Sequence, residues 1–194
     1  MESKQEQLNK LNEYWQKNCK CKLKKTAKQA VFGDGNAQSQ IVFIGEAPGK
    51  KEDENGKPFI GAAGKFLNEM LESIGMKRED IYITNIVKYR PPDNRDPEPQ
   101  EKEDCNDWLI DELKIISPKL IVFLGRHSML RFFPGETISD LHGKLVIKTT
   151  IELGEQAFVP LYHPAAALYN GGMRETLIQD FKKIPKALEK LKKI

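Results

Sequence analysis

The sequence predicts a three-layer α/β/α fold built on a central, mainly parallel sheet. Three observations carry that expectation. The runs 41–44 (Ile-Val-Phe-Ile) and 120–124 (Leu-Ile-Val-Phe-Leu) are apolar throughout, as strands covered on both faces must be. Each ends at a glycine, Gly45 or Gly125. Between the runs lie segments whose apolar residues recur every three or four positions, the period of a helix packed on one side. At 194 residues, 39% hydrophobic and 30% charged, the chain has material for one such core and not two. A single domain over 1–194 is expected, with a helix and loop over 1–40 and the main body over 41–194.

In chain order, Leu8, Leu11 and Trp15 place an amphipathic helix over 4–17. Residues 19–40 lack a pattern, contain Gly33 and Gly35, and offer only Val31 and Phe32 for burial; so long a loop tends to be functional. The strand over 41–44 runs into a loop with Pro48, Gly49, Gly56, Pro58 and Gly61. Phe66, Leu67, Met70, Leu71 and Ile74 then form one helical face, closed at Gly75. A second strand spans 81–87. After a Pro- and Arg-rich loop, Asp96 is expected to cap a helix with Pro97 in its first position, Cys105, Trp108, Leu109, Leu113 and Ile116 facing inward, and an end near Pro118. The strand over 120–124 is followed by a short helix ending near Gly135, then by a hairpin around 144–148 and a last strand over 158–162. A closing helix over 175–191, with Leu177, Phe181, Ile184 and Leu188 inward, should kink at Pro185.

Composition excludes several classes. No run of about 18 apolar residues is available to span a membrane, and the Lys- and Gln-rich start lacks the apolar segment of a signal peptide, so a soluble, cytosolic protein is expected. Three cysteines cannot pair completely, which leaves them as free thiols or ligands. A net charge of +3 from 31 basic and 28 acidic side chains is too small to prove a polyanionic partner.

In a parallel sheet of this kind ligands bind beyond the carboxyl ends of the strands. That rule selects Gly45-Glu46-Ala47-Pro48-Gly49, then Thr84-Asn85 with the loop 88–95, then Tyr162-His163-Pro164. Converging there, they would gather a carboxylate, a carboxamide, an imidazole and the aromatic Phe59, a set suited to recognising and cutting at a heterocyclic base.

The first block, continued by Glu52-Asp53, Gly56, Pro58-Phe59-Ile60-Gly61 and Ala63-Gly64, resembles the opening motif of the family 4, thermophile-type uracil-DNA glycosylases. Ile83-Thr84-Asn85-Ile86-Val87-Lys88 with Arg90-Pro91-Pro92 and Asn94-Arg95 is similar to that family's second block, and Tyr162-His163-Pro164 to its third. The likeness covers roughly residues 19 to 182 with the blocks in order. It implies the glycosylase fold and a monofunctional hydrolase that removes uracil from DNA, leaves an abasic site and serves base excision repair as a monomer.

Through that resemblance Glu46 and His163 are the candidate catalytic residues. His163 would donate to uracil O2 as charge grows on the departing base, and Glu46 would orient a water or offset the sugar cation. Asn85 can accept from uracil N3-H while donating to O4, a pairing that cytosine reverses. Phe59 matches the aromatic on which the extruded base stacks, and Glu52 the position near C5 that would exclude thymine's methyl. Ala47 stands where a more distant glycosylase family carries its catalytic aspartate, so water activation should be weaker. Lys50, Lys51, Lys65, Lys88, Arg90, Arg95 and Arg174 are candidate phosphate contacts, with Leu168 or Tyr169 as a wedge for the gap left in the DNA. Lys192 and Lys193 are assigned to a solvated face.

The resemblance also implies a four-iron four-sulfur cluster on four cysteines, and here the chain departs from it. Cys21 and Cys105 occupy ligand positions; Asn18 stands at the first, with Cys19 one place late, and Tyr89 at the third. No cofactor is therefore expected, with packing around Leu23, Val31, Phe32, Tyr89 and Trp108 in its place. The alternative is a cluster completed by an inward shift of Cys19 and an outside ligand. Two alternatives to uracil excision remain: a non-catalytic binder of damaged or single-stranded nucleic acid, and a glycosylase preferring another deaminated base such as hypoxanthine.

Overall fold

The computed structural model describes residues 2–192. Lys193, read above as solvated, lies outside them. Helix α1 spans Lys4–Asn18, capped by Ser3, whose hydroxyl accepts from Glu6 N while the Glu6 carboxylate accepts from Ser3 N. The stretch read as irregular holds a single helical turn at Lys22–Lys25 and a two-residue strand, β1 (Asp34–Gly35). Then follow β2 (Ile41–Gly45), α2 (Lys50–Asn55), α3 (Ala62–Ser73) and β3 (Tyr82–Asn85), shorter than the expected second strand.

The next helix does not begin at Pro97 under an Asp96 cap. It starts at Pro99, because the Glu101 carboxylate accepts from Glu98 N at 2.7 Å and makes Glu98 the cap. It also divides at Cys105 into α4 (Pro99–Asp104) and α5 (Asn106–Ile116). After β4 (Leu120–Leu124) come α6 (Arg126–Phe132) and a short α7 (Ile138–Leu141) that the sequence did not signal. The hairpin is formed with the last strand rather than before it: β5 (Val146–Thr150) pairs antiparallel with β6 (Gly154–Leu161). A short α8 (Ala166–Tyr169) leads to α9 (Gly171–Phe181) and α10 (Ile184–Leu191), so the expected kink is a full break just before Pro185.

The sheet order is β1-β3-β2-β4-β6-β5, with the four inner strands parallel and both edges antiparallel. Alternation along the strands builds the two cores. Phe43, Ile83, Val122 and Val159 meet Phe66, Leu67 and Met70 of α3 and Leu177, Phe181 and Ile184 of α9 and α10. Val42, Ile44, Tyr82, Ile121, Phe123 and Phe158 meet Leu8, Leu109, Leu113, Met129 and Phe132 on the other side. This is the three-layer arrangement that the apolar runs imply. No helix among the described residues is long and apolar enough to cross a membrane.

Lys88 is not the phosphate contact that the sequence suggests. Lys88 is fully buried; its ammonium sits 2.7 Å from Glu112 Oε2 and donates also to Thr84 Oγ1, while Tyr82 Oη donates to Glu112 Oε1 at 2.8 Å. A buried charge needs such pairing. Lys88 therefore ties β3 to α5 and faces no phosphate.

Candidate active site

The parallel register places Gly45 beside Asn85, so the ends of β2 and β3 open together. A methyl group on Gly45 would collide with both Asn85 Oδ1 and the Phe59 ring; its absence lets the amide and the aromatic close in on the same space. Asn85 is buried, and its Oδ1 has no hydrogen-bond partner. An orphaned acceptor of that kind asks for a ligand donor.

Phe59 is held in the left-handed region at φ 53°. Two charged groups pin it there. The Arg78 guanidinium donates to Phe59 O at 3.1 Å and to Pro58 O at 2.5 Å, and Glu52 Oε1 accepts from Ile60 N at 3.0 Å and Gly61 N at 2.8 Å. Glu52 thus braces the loop through that oxygen while still lining the cavity. Gly64 leaves room for the Phe59 carbonyl, which a side chain there would strike.

His163 follows β6 and lies with its ring centroid 5.8 Å from that of Phe59. Its Nδ1 accepts from Ala165 N at 3.1 Å, which puts the ring proton on Nε2 as a free donor. Burial, helped by the nearby His127, pulls its pKa down to about 4, so the imidazole is neutral near pH 7. Glu46 moves the other way: burial first, then the Asp96 carboxylate, push it up to about 7 against the opposing Lys102 and Arg126.

Glu46, Ala47, Glu52, Phe59, Asn85 and His163 line one cavity of about 380 Å³, with Arg95, Asp96 and Tyr169 at its wall. Lys50 and Lys65 are exposed on the neighbouring helices. Arg95 forms a two-pronged pair with Glu101 at 2.7 and 2.8 Å, Arg90 donates to Asn94 at 2.8 Å, and Arg174 pairs with Glu69 at 2.5 Å over the Phe66 ring. Leu168 is 45% exposed and Tyr169 91%. Sequence reasoning missed three residues: Asp96, read as a cap; Arg78, which carries no local signal; and His127, two residues past the glycine ending β4, where the strand-end rule could have found it.

Three cysteines and Tyr89 gather at the position expected for the cluster. Asn18 faces outward and donates to Tyr14 O at 2.7 Å, while Cys19 has turned inward to join buried Cys21 and Cys105. The Cys105 thiol contacts both others, drawing Cys19 down to about 7 while its own pKa is pushed up. The fourth corner is Tyr89, whose buried hydroxyl has no partner and whose pKa is raised by burial and by the thiols, so it stays a neutral phenol. Three thiols and a phenol do not fit a cluster held by four thiolates. Leu23, Ala30, Val87 and Trp108 pack around them, with Phe32 against the Trp108 ring at 5.7 Å and the Trp108 indole donating to Asn12 at 3.0 Å.

The family model described as the uracil DNA glycosylase superfamily matches residues 32–192. The type-4 uracil-DNA glycosylase of Archaeoglobus fulgidus is 50% identical over 171 residues, covering 85% of each chain. That of Saccharolobus solfataricus is 48% identical over 176 residues, 87% of this chain and 81% of the relative. That of Thermotoga maritima is 36% identical over 192 residues, 98% and 99%.

Proposed function

The chain belongs to the uracil-DNA glycosylase superfamily, and from that membership we propose that it hydrolyses the N-glycosidic bond of uracil in DNA as a monofunctional, monomeric enzyme. The observation that carries the site assignment is the meeting of Asn85 Oδ1, the His163 Nε2-H and the Phe59 ring on one cavity.

A base turned out of the helix would stack on Phe59, and the Asn85 amide would accept from N3-H and donate to O4. As the bond to the sugar stretches, charge accumulates on the departing uracil. The neutral His163 would then donate to O2 without giving up its proton, a contribution of about 2.7–4 kcal/mol for one such donor. Glu46, as a carboxylate, would face the electron-poor sugar and hold the attacking water. With alanine at 47, no stronger base is available there. No lysine lines the cavity among the described residues, which supports release of the base without a covalent link to the strand. Tyr169 and Leu168 on α8 are suited to fill the vacated stack, and Lys50, Lys65, Arg90, Arg95 and Arg174 to meet phosphates. No step runs through a cofactor, because the thiols lie in a separate cluster under the first loop.

Single-turnover assays with an oligonucleotide carrying one uracil test the proposal. Free uracil and an intact abasic strand are expected, with release lost in Phe59→Ala. Tight binding without release would instead mean a nucleic-acid binder, and preferential release of hypoxanthine in a competition would move the substrate to another deaminated base.

A further inference from the structure

The end of β4 delivers a residue that the proposed mechanism does not use. His127, in the first turn of α6, is half-buried between three charged elements. Its Nδ1 lies 3.3 Å from Lys102 Nζ on α4. Lys102 Nζ can only donate and the Asp96 carboxylate can only accept, so a ring proton on Nε2 satisfies both, at the cost of leaving Arg126 Nε, 3.1 Å from Nε2, without an acceptor there. Nε2 sits 3.0 Å from Asp96 Oδ2 and 3.9 Å from Glu46 Oε2. One oxygen of each carboxylate and the imidazole nitrogen all lie within 4.8 Å of one another. Asp96 has little else to hold it: its side chain is 63% exposed, and its other partner is Arg126 Nη2 at 3.5 Å.

We propose that His127 is a positioning residue, which by donating from Nε2 fixes the Asp96 carboxylate beside Glu46 and so sets the pH at which Glu46 becomes a working carboxylate. This rests on the reading of Glu46 as the group that serves the sugar and the water.

The surroundings of Glu46 single out Asp96. Lys102 on α4 and Arg126 on α6 favour its ionisation. Across the cavity Glu52 is engaged with two backbone N-H groups, His163 is neutral, and Arg95 is matched by Glu101. Asp96 is the charge that opposes ionisation, second only to burial. The Asp96 carboxylate held by His127 therefore works against the two cations nearest Glu46, Lys102 and Arg126. Those cations also make the trio a proton-handling group rather than a seat for a divalent ion.

The test is the pH dependence of single-turnover uracil release between pH 5 and 9, in wild type, His127→Ala, His127→Gln, Asp96→Asn and Glu46→Gln. Wild-type rate should climb through about pH 7, following Glu46. In His127→Ala and Asp96→Asn the climb should move to lower pH. A displacement of about one pH unit raises the rate at pH 6 relative to pH 8 roughly fivefold. His127→Gln, whose amide can still donate to Asp96, should keep most of the wild-type profile, and the double variant His127→Ala/Asp96→Asn should move no further than either alone. A merely structural histidine would change amplitude or melting and leave that ratio alone. Should His127→Ala fold poorly, the solvent-facing Asp96→Asn carries the test. Loss of the climb in Glu46→Gln with no displacement in the other two overturns the inference. Retention of the climb in Glu46→Gln overturns the reading of Glu46 itself.

Discussion

Asn85 makes the sharpest prediction, because one substitution should damage function while sparing or improving stability. In the free protein its Oδ1 is buried without a partner, and an unsatisfied buried acceptor costs about 1–3 kcal/mol. Asn85→Ala removes that cost and deletes few packed atoms, since the side chain borders a cavity. The melting temperature should therefore stay level or rise by about 2–4 °C, the shift that 1 kcal/mol produces in a chain of this size. Uracil release should fall steeply, because the amide supplies both the acceptor for N3-H and the donor for O4. Loss of one donor to a developing anion slows a reaction by about 10²–10³. Asn85→Asp should be worse than alanine, since a carboxylate turned toward O4 adds repulsion to the missing donor. Single-turnover release from a uracil oligonucleotide and a thermal melt, run on all three proteins, decide the matter. A variant that melts several degrees lower yet releases uracil within threefold of wild type would refute the reasoning: Asn85 would then be a structural amide.

Lys88→Met leaves Glu112 buried and unpaired, so a loss of about 3–5 kcal/mol is expected in denaturant unfolding, with the salt dependence of DNA affinity unchanged. His163→Gln should slow release by about 10²–10³, and His163 itself should add no inflection to the wild-type profile between pH 5 and 8, because its imidazole loses its charge near 4. For Glu46 the sign runs toward acid. Its folded pKa is raised from the ordinary 4.5 to about 7, so its favourable contribution is complete below 4.5 and lost as pH rises through 7. Glu46→Gln should thus match wild type in stability at pH 4 and exceed it at pH 8, by roughly 3 kcal/mol at most; equal melting curves at pH 8 would contradict it. Arg78→Ala releases the carbonyls of Pro58 and Phe59, and weaker uracil binding with little change in the rate of bound substrate is expected in a substrate titration.

The strands and the cavity were legible for one physical reason: each is written in contiguous residues. Four or five consecutive apolar side chains make a two-faced strand whatever lies elsewhere, and the residue that follows stands at the open end of the sheet. Glu46, Asn85 and His163 all occupy such positions. What failed needed a distant partner. Lys88, three residues past Asn85, resembles a phosphate contact until Glu112, 24 residues on, proves to be its counter-ion. The cap moved from Asp96 to Glu98 because Glu101 reaches back to Glu98 N while Asp96 is drawn to His127 on another helix. Cys19 turned inward although the expected ligand position falls on its neighbour Asn18, since burial among Tyr89, Trp108 and two thiols is available one residue later.

The cavity also concentrates local penalties that a protein selected for stability alone would avoid. Asn85 leaves an acceptor unpaired, Phe59 holds a left-handed backbone, and Glu46 keeps a carboxylate where burial and Asp96 both oppose its charge. Strain of this kind persists where surrounding contacts over-determine it, here the Arg78 and Glu52 clamps on either side of Phe59 and the His127 link to Asp96. Tyr89 is the informative contrast. Its hydroxyl is equally buried and equally unpaired, but it points among thiols and does not line the cavity. An orphaned group alone therefore does not mark the site; three penalties of different chemical kinds, all opening on one space, do.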